Sequence, residues 1–372
     1  MTTPPAARRP LLDRRDPLAD VEAAMRALAG GERRELVGDI ACEHLETGGK
    51  RVRARLALAA AHALGVPRAV AAPWATAVEL LHNATLVHDD LQDGDRVRRG
   101  RPTTWAVHGM AQAINCGDLM MLLPTLAIDG IAIDDGVRFR LTRALNARAV
   151  ATVRGQGADL ALKDHLAAGL DPVDCYLRCI EGKTGELFAL PVEGAALLAG
   201  RSAHVARALA EPFFVLGMLF QLQDDVLDLF GDKGREARGA DVKEGKISAL
   251  VVEHLRLHPG EREWLNAILE APRDVTSDDD VLAVIDRFER GGALDATLRR
   301  IVALASHALN VPALQAEPAL QQLVVEVTGM VLAPIQSCFA LRQLEIDDVV
   351  LAPSLQALTA PVATLRQPEV TP

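Results

Sequence analysis

The chain has 372 residues, 49% of them hydrophobic, enough to bury the core of one large domain. Aromatics are only 3%, and the abundance of Ala, Leu and Val favours helices packed in aliphatic layers over a β-sandwich or barrel. A formal charge of −10 with a pI near 5.5 argues against nucleic acid as a partner, since that needs a basic face.

Residues 1–15 are rich in Pro and Arg and are expected to be disordered. Asp16 and Pro17 read as the N-cap and first residue of a helix running to about Ala29, stopped by Gly30 and Gly31. A second helix from about Glu32 ends at Gly48 and Gly49, whose backbone can approach an anion closely, and Lys50 opens a third helix through Leu64. From about Ala69 an apolar run (Val78, Leu80, Leu81, Leu86, Val87) predicts a buried helix ending in Asp89, Asp90 and Asp93. Asp89 and Asp93 fall one turn apart on the same face, roughly 6 Å along the axis. Like charges so placed repel, and a cation is expected to neutralise them. Arg98 to Pro102 reads as a loop, and Ala111 to Leu126 as a helix that Pro124 ends or kinks.

Val137 to Leu162 has long helical periodicity and carries Gln156 and Asp159. Asp171 and Pro172 start the next helix, which is expected to break at Gly182 to Gly185 around Lys183 and Thr184. Such a break leaves carbonyls that can face a developing cation. Ser202 to Phe230 predicts a long helix whose end, FQLQDDVLD, repeats the aspartate pattern as Asp224, Asp225 and Asp228. Gly231 to Gly245 reads as a polar loop, and further helices follow to about Leu309. Asp278, Asp279 and Asp280 read as the cap and first turn of one of these. Strand-like alternation is nearly absent.

Two copies of one acidic pattern, each ending an apolar helix, are hard to explain as solvated surface. Facing each other across a cavity, they offer oxygen ligands to hard cations. Mg²⁺ fits best, because it keeps several waters and is usually completed by substrate phosphates. The bases agree with phosphate: Gly48, Gly49, Lys50, Arg51 and Arg53 lie upstream, Arg98 and Arg99 follow the first motif, and Lys183 lies between the two. Only six of the 40 basic residues are lysines, and five of them stand in or beside these blocks. Five scattered cysteines make no disulfide framework and suit a reducing cytoplasm. Cys175 and Cys179 read as small core residues. The N-terminus has no apolar central run of a signal peptide, and no membrane span is expected.

In order and spacing, GGKRVR, HNATLVHDDLQD, RRGRPT, GQGADL, KTGEL, FQLQDDVLD and GADVKEGKIS resemble the trans-isoprenyl diphosphate synthases of the polyprenyl synthetase family, over about residues 40 to 330. The resemblance implies an all-α fold, a single-domain antiparallel helical bundle around a central cavity, over residues 16–336, with 337–372 as a C-terminal extension. It implies a prenyltransferase of isoprenoid biosynthesis that joins isopentenyl diphosphate head to tail with an allylic diphosphate of C5 to C15. Mg²⁺ is implied, three ions per active site with Mn²⁺ as a substitute, on Asp89, Asp93 and Asp224, with Asp90, Asp225 and Asp228 binding directly or through water. Arg98, Lys183 and Lys246 would hold the allylic diphosphate, and Gly49, Lys50, Arg51, His82 and Arg99 isopentenyl diphosphate. Thr184 and Gln221 would stabilise the cation by their dipoles, while Gln156 and Asp159 line the pocket. A homodimer is implied as well.

Small residues five and four positions before Asp89, Ala84 and Thr85, leave the chain tunnel open past fifteen carbons, with Leu81 one turn deeper and Met120 and Met121 closing from a neighbouring helix. Geranylgeranyl diphosphate (C20) is the expected product, with farnesyl (C15) or a longer chain as alternatives. Two rivals remain: a terpene cyclase, which would lack the GGKR and RRG blocks, and a non-catalytic regulatory subunit of a heteromeric synthase, which would lose an aspartate motif. One departure from the family pattern lies after the second motif, where Glu236 stands at a usual lysine position and Lys233, Arg235 or Arg238 would supply the cation.

Overall fold

A computed structural model describes residues 11–12, 17–32, 35–231, 238–273 and 275–340. The chain folds as α1 Ala19–Gly30, α2 Leu36–Leu45, α3 Val52–Ala63, α4 Arg68–Gln92, a hairpin of β1 Val97–Arg98 and β2 Arg101–Pro102, α5 Thr104–Asp129, α6 Asp135–Leu160, α7 Leu162–Ala167, α8 Pro172–Ile180 and α9 Glu186–Leu198. It continues with α10 Ala203–Phe230, α11 Ala240–Lys243, α12 Ala249–Leu257, α13 Arg262–Leu269, α14 Asp278–Arg290, α15 Ala293–Leu309, α16 Pro318–Leu332 and α17 Gln336–Ala340. The expected all-α bundle is what forms. The two-residue hairpin is the only sheet among the described residues. Residues 1–10 and 341–372, which hold most of the expected disordered segment and extension, lie outside the described residues.

The centre of the bundle is α9, buried on every side from Leu187 to Leu197. It packs against α3, α4, α6 and α10. Gly194 lets Trp74 of α4 lie flat on α9, since a Cβ there would come within 2.0 Å of the indole, and the indole N–H donates to Pro191 O at 3.0 Å. A helix apolar all round belongs in the interior. The same logic accounts for α10 and the Pro318–Ala340 stretch, which, like the more exposed α5, have the length and hydropathy of a membrane span. That qualifies the expectation of no spanning segment. In the bundle, 61% of the apolar window is buried for α10 and for Pro318–Ala340, and 44% for α5.

Several boundaries differ from expectation. The first helix begins at Ala19, not Pro17, and Asp16 lies outside the described residues. The loop expected at Arg98 to Pro102 is the hairpin, turning through Arg99 (φ 52°) and Gly100 (φ 76°). Positive φ at both central residues marks the tight turn that matches strand twist. The helix expected to break at Gly182 does not break: Glu181–Gly185 forms one π-helical turn that joins α8 to α9. It is wedged between α6 and α10 with backbone against backbone. A Cβ on Gly155 of α6 would sit 2.5 Å from Lys183 N, and one on Gly217 of α10 would sit 2.8 Å from Gly185 Cα. Wide turns of this kind recur at functional sites because they redirect side chains. As expected, Ser202 and Asp171 start their helices, each as the cap, but α14 is capped by Ser277 in a capping box with Asp280, so Asp278, Asp279 and Asp280 are all first-turn residues and none is the cap. None of the five cysteines is in a disulfide, and Cys179 Sγ donates to Cys175 O.

Candidate active site

At the end of α4, Asp89 is half-buried and Asp93 closes the helix as its C-cap residue. Burial pushes both carboxyls above their usual range, and Lys183 opposes the shift in each case. Lys183 reaches them from the π turn and pairs with Asp159 Oδ2 of α6 at 3.0 Å. Burial works against its charge, but Asp159, Asp89 and Asp93 outweigh that and hold its pKa above the ordinary lysine value. Three carboxylates therefore gather around Lys183, with Arg98 acting more weakly on Asp89 and Lys246 on Asp93. A site so short of positive charge suits further cations.

The side chain next along the helix points elsewhere. One residue advances an α-helix by about 100°, so Asp90 turns away from Asp89 into the protein, where its Oδ1 meets Arg98 Nε of the hairpin at 2.5 Å. Burial, against the pull of Arg98, raises its pKa to about 6. Its Oδ2 has no partner and borders a second cavity of about 230 Å³ that His44, Arg98 and Thr103 also line.

The second motif shows the same split more sharply. Asp224 is half-buried, whereas Asp225 is buried and saturated: it accepts from Tyr176 OH at 2.6 Å, Ala249 N at 2.7 Å and Gln221 Nε2 at 3.1 Å. Burial and Asp241 push its pKa to about 7 against those hydrogen bonds. Asp228 Oδ2 accepts from Asp241 N at the start of α11. Thr184 Oγ1 donates to Gln221 Oε1 at 3.2 Å, which ties the π turn to α10. Lys246 pairs with Glu244 at 2.8 Å and Asp241 at 3.7 Å, and its charge is felt at Asp93 of the first motif. Lys246 thus links the segment after the second motif to the first motif.

From Asp89 a cavity of about 220 Å³ runs along Thr85, His88 and Gln92 of α4, Met121 of α5, and Thr152, Val153, Gln156 and Leu160 of α6. Gln156 Nε2 donates to Gln92 Oε1 at 3.0 Å. Of the expected tunnel residues, Thr85 and Met121 line this cavity. Ala84, Leu81 and Met120 are fully buried outside its lining. One position along a helix again decides the facing.

A separate basic cluster lies at the α3 end of α4. Arg53 Nη1 donates to His82 Nε2 at 3.1 Å, and Arg99 folds onto Gly48 O. A Cβ on Gly49 would collide with the Arg99 guanidinium. Burial, with Arg99 adding repulsion, pulls the pKa of Arg53 down to about 10 despite Glu79 and Asp89. Burial and the surrounding arginines keep His82 neutral, well below its usual pKa. Arg53 Nε and His82 Nδ1 are buried without partners.

Arg51, expected beside them, faces inward. It is buried at φ 49°, and its guanidinium donates to Leu45 O at 2.8 Å and Asn83 Oδ1 at 3.2 Å, with Glu79 at 3.7 Å. It joins the end of α2 to α4. Arg53 is the one that meets His82, because Arg51, the αL residue before α3, turns its guanidinium back onto Leu45 O. Lys50 and Gly49 are exposed at the rim. Lys233, Arg235 and Glu236 lie outside the described residues, and Arg238 Nε donates to Leu229 O near the end of α10. Among the described residues, no three His, Cys, Asp or Glu side chains converge as a metal cage. For Mg²⁺ this is no misfit, because it is held by one or two carboxylates completed by phosphate and water.

The profile of the family described as polyprenyl synthetase matches residues 34–287, more than half of the chain and both aspartate motifs. A (2E,6E)-farnesyl diphosphate synthase of Mycobacterium bovis is 36% identical over 251 residues, covering 66% of this chain and 68% of that one. A geranylgeranyl diphosphate synthase of Mycobacterium tuberculosis is 36% identical over 233 residues, 62% of this chain and 65% of that one. The crystal structure of a polyprenyl synthase from Caulobacter crescentus CB15, complexed with calcium and isoprenyl diphosphate, superposes with a TM-score of 0.71 at 26% identity, covering 88% of this chain and 99% of that one. With the two aspartate ends, the basic clusters and the cavity between the helices, these matches make the chain a prenyltransferase that belongs to the polyprenyl synthetase family.

Proposed function

We propose that the chain performs the Mg²⁺-dependent head-to-tail condensation of isopentenyl diphosphate with an allylic diphosphate of C5 to C15, giving mainly geranylgeranyl diphosphate (C20). The observation that carries this reading is a cavity of about 220 Å³ with Asp89 and Lys183 in its lining and Met121, Val153 and Leu160 among its walls, where Asp159, Asp89 and Asp93 hold the Lys183 charge. Asp89, Asp93 and Asp224 would hold Mg²⁺, three ions per site with Mn²⁺ able to replace them, and the bound metal supplies Lewis-acid pull on the departing diphosphate oxygen.

The remaining work falls to this chain's own residues. Lys183, Lys246 and Arg98 bind the allylic diphosphate. Arg53, Arg99, the orphaned Nδ1–H of His82, Lys50 and the Gly49 backbone bind isopentenyl diphosphate. Thr184 and Gln221, held against each other, aim their dipoles at the allylic cation. Gln156 and Gln92 form the polar shoulder of the cavity. Asp225 and Asp228 position the second motif by fixing Ala249 and Asp241. The released diphosphate accepts the proton, so no protein base is needed.

Thr85, a small residue on the wall, supports C20. A homodimer is supported by apolar side chains left exposed on α5 (Met110, Ile114, Leu122, Leu126) and α6 (Phe139, Val150, Val153). Labelled isopentenyl diphosphate, incubated with C5, C10 and C15 partners and Mg²⁺, should yield C20 product, and light scattering should show a dimer. No transfer with any partner would refute the reaction. A longest product of C15 would refute the length.

A further inference from the structure

His88 stands on the cavity wall between Thr85 and Asp89, and the proposed reaction gives it no task. Its position is set by an absent side chain on the facing helix. The imidazole lies over Gly117 of α5, where a Cβ would come 2.2 Å from Nε2 and 2.4 Å from Cδ2. Its Nε2 is also 3.3 Å from Asp118 Oδ1. So α5 offers a notch at Gly117 and a latch at Asp118, one turn from Met121, which lines the same cavity. Glycine inside a helix costs about 1 kcal/mol relative to alanine. Here it makes room for one ring.

We infer that Gly117 is a specificity-determining residue: it parks His88 against α5 and so keeps the bore beside Asp89 open to a growing prenyl chain. Without the notch the ring has to leave α5. The cavity of about 220 Å³ is the open space beside it, and an imidazole swung there occupies room that an isoprene unit would use.

The inference rests on the proposed chain elongation, and the experiment keeps the two apart. Products of Gly117→Ala, His88→Ala and the double variant are compared with wild type under identical substrates. Gly117→Ala favours helix and should fold, and its main product should shorten by at least one isoprene unit. The double variant should recover the wild-type length or exceed it. A wild type that makes no elongated product sinks the proposed function. A wild type that elongates, with unchanged lengths in Gly117→Ala, overturns this inference alone, as does shortening that persists in the double variant. Where a variant turns over too slowly, equilibrium binding of unreactive allylic thiodiphosphates of three chain lengths gives the same reading. Gly117→Ala should then lose roughly tenfold affinity for the longest relative to the shortest, restored in the double variant. An equal loss for all three lengths overturns the inference.

Discussion

The ends of α4 and α10 carry the same acidic spelling, yet they are built for different loads. At α4, Asp89 lines the cavity, and Asp93, one turn on, leans with it on the charge of Lys183. At α10, Asp225 and Asp228 are engaged by backbone N–H groups of later segments, and Tyr176, the sole tyrosine, closes the shell around Asp225. A repeated aspartate pair therefore does not mean repeated ligands. The second member of each pair braces the structure behind it, Asp90 through Arg98 and the hairpin, Asp225 through α8 and α12, while the first members, Asp89 and Asp224, are half-buried.

The largest effects should separate these roles. Asp89→Ala and Asp224→Ala should each lower turnover by roughly 10²-fold or more with helical circular dichroism unchanged. Near-normal turnover in either would break the comparison at its first term. Asp225→Ala should instead unfold at lower temperature, by about 3 kcal/mol, because it strands the Tyr176 hydroxyl and the Ala249 amide in the interior. An unchanged Tm with lost turnover would make Asp225 a ligand after all.

Sharper tests concern the neighbours of α4. Arg53→Ala should raise the KM for isopentenyl diphosphate about tenfold, as expected on removing a charged contact. Arg51→Ala should mainly lower Tm, because its partners are Leu45 O, Asn83 and Glu79. The reverse pattern would restore Arg51 to the binding site. Thr85→Phe should shorten the product by about one isoprene unit, since a unit and a helical turn of 5.4 Å are similar in length. Ala84→Phe, at a fully buried position outside the cavity lining, should cost stability first.

A pH-dependent effect lies behind Asp90, at His44. Burial and the nearby Arg98 and Arg99 hold its pKa down at about 4. The folded state then resists a proton that the unfolded chain accepts near pH 6.5. The stabilisation is complete above pH 6.5 and is lost as pH falls toward 4, at up to about 1.4 kcal/mol per pH unit. His44→Gln should therefore show a shallower fall of Tm across that window. Asp90, raised to about 6, contributes with the opposite sign, so the difference between variant and wild type is the quantity to measure. Parallel curves would show that His44 does not carry the slope.

The bundle, the long aspartate helices and the seven blocks were legible in the sequence because apolar periodicity and capping residues are local signals. Ser202 and Asp171 announced their helices, whereas the cap of α14, expected among Asp278 to Asp280, is Ser277. Facing was less legible. Arg51 and Arg53 are two letters apart in a basic run, and only the αL backbone at Arg51 and the acceptor at Leu45 decide which one turns inward. Likewise, Ala84 and Thr85 differ by a rotation about the helix axis that depends on how α4 settles against α5. The π turn was read as a break because Gly182 and Gly185 look like breakers. Their reason is tertiary, in the approach of α6 and α10. Tyr176 as a partner of Asp225 had no local signal at all.

The glycine contacts around that turn have a consequence for how the protein tolerates change. Gly155, Gly182, Gly185 and Gly217 belong to three separate stretches of chain, yet they form one seam in which a single methyl group would collide with another backbone or ring within about 3 Å. A saturation library scored for function should show a narrow band of intolerance crossing the helices at right angles to their axes, centred on Lys183. Compensation by a second substitution should be rare at Gly155, Gly182 and Gly217, where the nearest opposing atoms are backbone, and possible only at Gly185, which faces the ring of Phe214.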